Sequence, residues 1–187
     1  MSTQTLASSR WTVRAALIIG FALFTGLAAQ VRIPLPFTPV PITLQVLAVI
    51  LAGLLLGPMD GFLSQLTYLG LIALGAPLAA GWIGGPTAFV GPTAGYLVSF
   101  PMAAAIVGWL AENRATRGRS LAAGLAGVAV IYLVGATWLA LTLDVSAVRA
   151  FQLGVAPFIV VDVVKGLVAV LVGRSGATLL NNLLPRS

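Results

Sequence analysis

VAPFIVVDVVKGLVAVLVG, residues 155–173, is apolar from end to end except for Asp162 and Lys165. An ionised side chain in the middle of a bilayer costs ~3 kcal/mol or more. Three residues apart on a helix, the two project on nearly the same face, ~60° apart around the axis. An acid and a base placed there either neutralise each other or meet a polar ligand. An intramembrane charge reads first as a functional site. The plainer alternative is a structural ion pair that fixes the rotation of one helix, and the stretch alone leaves both open.

The rest of the chain supports a membrane setting. Charged residues are 7% of the 187 and hydrophobic residues 59%, whereas a soluble domain carries about 25% charged residues. So few charges cannot cover a soluble surface of this size, so the reading is an all-α integral membrane protein. Cysteine and histidine are both absent. That removes disulfides, thiolate chemistry, the usual proton shuttle and the commonest metal ligand. The net charge of +6 would suggest nucleic acid in a soluble protein. Here it follows loop topology, and no nucleic-acid partner is expected. The start, MSTQTLASSRWTVR, lacks an A-x-A pattern behind a short apolar core. No removable signal peptide is expected, and the first apolar segment is kept as a span.

Six apolar segments can be drawn, at about 13–31, 42–56, 61–74, 93–111, 121–141 and 156–173. A full span needs ~20 residues, so the second and third are short. With six transmembrane helices both termini lie on one side. That side holds Arg10, Arg14, Arg114, Arg117, Arg119, Arg174 and Arg186, against Arg32 and Arg149 on the other. The positive-inside rule then puts both termini in the cytoplasm. The chain is expected to be one domain, 1–187, with a short polar cytoplasmic tail at 1–12 and a basic cytoplasmic loop at 112–120.

Two outer loops stand out. Residues 33–41, IPLPFTPVP, hold four prolines and cannot be helix. They are also too apolar for an ordinary wet loop, which suggests a re-entrant or lid-like segment. Residues 77–92, PLAAGWIGGPTAFVGP, are rich in Gly and Pro. They form either an interfacial turn anchored by Trp82 or backbone lining a cavity. Gly57-Pro58-Met59-Asp60-Gly61-Phe62-Leu63 echoes Gly91-Pro92-Thr93-Ala94-Gly95-Tyr96-Leu97, which shared helix-start chemistry explains.

No metal cluster, nucleophile–histidine pair or phosphate-cradling loop is present in the sequence, so no enzyme and no cofactor are expected. Asp60, Glu112 and Asp144 read as solvated carboxylates at helix ends, with Asp60 favoured by a helix dipole. The polar residues in or near spans are Gln30, Thr43, Gln45, Ser64, Gln65, Thr67, Tyr68, Tyr96, Ser99, Tyr132 and Thr137. Thr43 and Gln45 follow the proline-rich loop, and Tyr96 follows a Gly-Pro turn. With Asp162 and Lys165 they could converge on an outward-facing pocket. Such a pocket suits a ligand with both donors and acceptors, or one with a carboxylate that Lys165 or Arg32 meets. Ala16 and Gly20, and Ala22 and Gly26, stand four apart on the first helix. Such spacing serves internal packing or docks another membrane subunit.

Val40-Pro41-Ile42-Thr43-Leu44-Gln45, Ala52-Gly53-Leu54-Leu55-Leu56-Gly57-Pro58, Gly91-Pro92-Thr93-Ala94-Gly95-Tyr96-Leu97 and the Asp162-x-x-Lys165 pair together resemble the BioY family. These are the biotin-binding S components of energy-coupling factor transporters. The resemblance implies an S-component-like bundle of six transmembrane helices in the plasma (inner) membrane, with a biotin site under the outer loops. It implies as substrate-binding residues Asp162, Lys165, Tyr96, Thr43, Gln45 and Trp82, with Asp162 on the ureido N–H groups. Lys165 would meet the ureido oxygen or the carboxylate. It also implies a transmembrane coupling subunit, docking on Ala16, Gly20, Ala22 and Gly26, and cytoplasmic ATPases that hydrolyse the ATP. Ala94 departs from the glycine usual there. Two other functions fit the residues alone. One is a self-sufficient proton-coupled secondary transporter of a small carboxylate or vitamin, with Asp162 as proton carrier. The other is a structural subunit with Asp162–Lys165 as an internal pair.

Overall fold

The computed structural model describes residues 3–111 and 116–183, with side chains described for 10–111 and 116–173. Its helices are α1 (Thr3–Gln30), α2 (Gln45–Leu56), α3 (Pro58–Ala73), α4 (Ala94–Ala111), α5 (Arg117–Leu143), α6 (Ala147–Gly154) and α7 (Ile159–Leu183). A two-stranded antiparallel ladder, β1 (Arg32–Ile33) with β2 (Ile42–Thr43), pairs Arg32 with Thr43 and Ile33 with Ile42. It pinches the base of the proline-rich loop. A 3-10 turn, Pro86–Phe89, interrupts the Gly/Pro-rich loop at 77–92.

The exterior is apolar and part of the interior is polar. Leu27, Leu133, Leu141, Val160 and Leu171 are exposed, whereas Thr25, Ser64, Gln65, Ser99, Asp162 and Lys165 are buried. This is the arrangement a bilayer selects, because lipid solvates leucine as well as a protein core does and polar groups must find partners inside. Three helical stretches are long and apolar enough to cross: Arg10–Gln30, Ala94–Ala111 and Arg117–Leu143. A fourth is possible if α6 and Ile159–Gly173, bent by 54°, form one broken span. Helix α2 has 12 residues and α3 has 16, about 18 and 24 Å. Each is shorter than a ~30 Å hydrocarbon core.

Helix α4 is the centre of the bundle. Two-thirds of it (67%) is buried, against 28% of the crossing stretch of α1 and 33% of α5. It packs on α2, α3 and α5, and small residues let it come close. A Cβ on Gly108 would lie 2.5 Å from the Gly57 backbone. Gly57 closes α2 and opens α3 at φ +85°, a conformation that strains any side chain. Pro58 follows at the first helical position, where its missing N–H costs nothing.

Several expectations change. The helix of the first apolar run begins well before it, at Thr3, so α1 takes in most of the polar N-terminal stretch. Asp60 is not a lone solvated carboxylate. The Arg14 Nε donates to both its oxygens at 2.8 Å, tying α1 to the start of α3. The segment between the fifth and sixth apolar runs holds α6, capped where Arg149 N–H donates to the Ser146 hydroxyl at 3.3 Å. Ala94 is fully buried at the first residue of α4, so its methyl is accommodated there. Glu112 and Arg114, with part of the basic loop, and Arg186 lie outside the described residues.

Candidate functional site

The last apolar run is broken by its own proline. In an unbroken helix the Leu153 carbonyl would accept from residue 157, but Pro157 has no N–H. The Phe158 N–H turns to Val155 O at 2.9 Å, which frees the Gly154 carbonyl too. Both orphaned acceptors are taken by other elements. The Thr38 hydroxyl, from the proline-rich loop, donates to Leu153 O at 2.7 Å. The Tyr96 hydroxyl, from α4, donates to Gly154 O at 2.9 Å. The break therefore fastens the proline-rich loop and one wall side chain to the end of α6. Gly135 and Gly154 give the Tyr96 ring and hydroxyl their room, since a Cβ at either would strike them.

Helix α7 restarts at Ile159, and this puts Asp162 in its first turn. Negative charge is favoured there by the helix dipole. Asp162 is 3% exposed and Lys165 6%. Lys165 Nζ donates to Asp162 Oδ1 at 2.6 Å. The Tyr132 hydroxyl of α5 donates to Asp162 Oδ2 at 2.6 Å. Each carboxylate oxygen is thus held by a separate donor.

These groups form the polar end of a cavity of about 300 Å³, at the small end of the range for sites that enclose one small molecule. Pro39 and Val40 of the proline-rich loop and Ala79 and Ile83 of the Gly/Pro-rich loop at 77–92 line it. Its walls are largely apolar, including Leu97, Phe100, Ile131 and Phe158. Thr43 and Gln45 line it as well, within a chain of bonds. The Thr43 hydroxyl donates to Gln45 Oε1 at 3.0 Å, Gln45 Nε2 to the Tyr68 hydroxyl at 2.8 Å, and the Tyr68 hydroxyl to Leu78 O at 3.2 Å. The chain joins the start of α2 to α3 and to the Gly/Pro-rich loop at 77–92.

Of the residues singled out in the sequence, Asp162, Lys165, Tyr96, Thr43 and Gln45 meet around this cavity. Trp82 does not line it. The backbone there has φ +62°, and the side chain is 64% exposed. What Trp82 contributes is its N–H, donated to Gln30 Oε1 at 3.0 Å. Gln30 Nε2 donates in turn to Ala79 O at 3.1 Å, so the end of α1 holds the second loop through one amide. Arg32 is not a lining residue either; its guanidinium lies against Gly81. The small-residue pairs of α1 separate. Ala22 and Gly26 are buried, with Gly26 against Leu78, whereas Ala16 and Gly20 are exposed. Only the latter pair lies at the surface. Tyr132 and Thr38 were missed as site residues. Tyr132 is polar inside a span, which is a signal. Its partner, however, is thirty positions away on another helix. Pro157 gave the one hint that a carbonyl would need Thr38. Among the described residues no group of three His, Cys, Asp or Glu side chains could hold a metal.

A model of the BioY family matches residues 1–182. The chain belongs to the BioY family. Among curated relatives, "Probable biotin transporter BioY" of Pyrococcus horikoshii is 46% identical over 84% of this chain and 92% of its own. "Biotin transporter BioY" of Rhizobium etli is 39% identical over 82% of this chain and 87% of its own. The protein of the same name from Thermotoga maritima is 39% identical over 83% and 92%. A crystal structure of the S-component for biotin from an ECF-type ABC transporter superposes with a TM-score of 0.82. It is 26% identical, covering 94% of this chain and 93% of that one. The likeness therefore covers nearly the whole chain, as the four motifs and their order implied.

Proposed function

We propose that this chain is the biotin-binding S component of an energy-coupling factor transporter. It captures biotin at the outer face of the plasma membrane for import driven by partner subunits. The observation that carries the reading is the buried Asp162–Lys165 pair at the polar end of a small apolar cavity, in a chain whose curated relatives are named for biotin transport. Biotin joins a ureido ring to an apolar bicyclic body and a carboxylate tail. Asp162 accepts from the ureido N–H groups. Lys165 donates to the ureido oxygen or to the carboxylate. Tyr96, Thr43 and Gln45 shape the walls.

The remaining assignments follow from the same reading. The bundle crosses the membrane six times with both termini in the cytoplasm, α2 and α3 making the two short crossings. Ala16 and Gly20 form part of the face that meets a transmembrane coupling subunit. ATP is hydrolysed by cytoplasmic ATPase subunits and not by this chain. The test is equilibrium binding of biotin to the purified chain alone in detergent, with desthiobiotin and an unrelated vitamin as controls. Tight, selective binding is expected. A folded, monodisperse sample that binds no biotin contradicts the reading.

A further inference from the structure

Tyr132 donates to Asp162 Oδ2 at 2.6 Å while Lys165 holds Oδ1 at 2.6 Å. The two donors come from different helices, α5 and α7. One donor on each oxygen fixes both side-chain torsions of the aspartate, and such bonds to a carboxylate are short and strong. The tyrosine itself cannot drift, because its ring packs against both halves of the bundle's apolar core. A hydroxyl has one proton. Since Tyr132 spends it on Asp162, it presents only lone pairs to the cavity that all three residues line. A carboxylate likewise only accepts. Lys165 is the one member of the three with N–H groups left over.

We infer that Tyr132 is a positioning residue: its hydroxyl holds Asp162 so that this end of the cavity reads N–H donors on the ligand, with Lys165 meeting an acceptor beside them. The inference rests on the biotin reading above and deepens it, because the ligand group so described is a cyclic urea. Selectivity for N–H follows physically. A ligand that lacks a donor there leaves a buried carboxylate lone pair unmatched, and sites built around such a bond discriminate strongly.

The test measures the affinity of wild type and Tyr132→Phe for biotin and for biotin methylated at one ureido nitrogen, by competition with labelled biotin. Losing one hydrogen bond on a charged group should weaken biotin ~10- to 100-fold. Affinity for the methylated analogue should stay within about threefold, since the bond it cannot use is the one the variant disturbs. The wild-type preference for biotin should therefore collapse. Equal weakening of both ligands, loss of both, or no change in the ratio would overturn the assignment. A second measurement does not depend on how well that variant folds alone. In an Asp162→Asn background, adding Tyr132→Phe should cost biotin little further, whereas independent effects would add; full additivity also overturns it. If wild type binds neither ligand, the biotin reading fails and not the role of Tyr132.

Discussion

Removing one member of the Asp162–Lys165 pair differs from removing both. Lys165→Met leaves a carboxylate buried with only the Tyr132 hydroxyl beside it. Breaking a buried pair from one side costs about 3–5 kcal/mol. The expected outcome is a clear loss of thermal stability in detergent. The double variant Asp162→Asn/Lys165→Met has no stranded charge and should regain most of that stability, yet bind no biotin. A single variant as stable as wild type would contradict the buried-pair account. The pair was legible in the sequence because a charge inside an apolar run announces its own cost. Trp82, which the family resemblance implied as a binding residue, stays outside the cavity because the turn at φ +62° leaves it exposed.

At the scale of elements, Pro157 does the most with least. It ends α6, restarts the chain as α7 with Asp162 in the first turn, and leaves the Leu153 carbonyl for Thr38. The Thr38 hydroxyl, between the prolines, is therefore one tie that holds the proline-rich loop to the end of α6. Thr38→Val keeps the shape and removes the donor. Release of labelled biotin in a chase experiment should speed up ~3- to 10-fold, the worth of one ordinary hydrogen bond. An unchanged release rate would mean the loop is held by packing alone. The apolar runs predicted α2, α4 and α5 to within a few residues, since in a bilayer a helix packed among other helices is as apolar as one that faces lipid. Helix α6 escaped because two turns bearing Arg149 and Gln152 interrupt no hydrophobic run. The start of α1 escaped because polar residues beyond the bilayer continue a helix without any apolar signal.

The molecule as a whole is apolar outside and partly polar within, and it has no cysteine, so its orientation can be tested on a clean background. Gly118→Cys, in the first turn of α5, and Ala147→Cys, just beyond its other end, are both at exposed positions and should react with an impermeant maleimide from opposite sides. Position 147 should label in intact cells and position 118 only in inverted vesicles. Labelling of both from one side would contradict a crossing by α5 and with it the proposed topology. The basic residues of the sequence carry the proposed topology, which this labelling tests; the meeting of the two loops over one cavity needed the fold. The central claim is that this cavity takes biotin through Asp162. Its most direct test is calorimetric titration of biotin into wild type and Asp162→Asn, both purified and monodisperse in detergent. The account predicts tight binding by wild type and a loss of ~100-fold or more in the variant, the scale of losing a charged acceptor in a closed site. Equal affinity in the two proteins would contradict it.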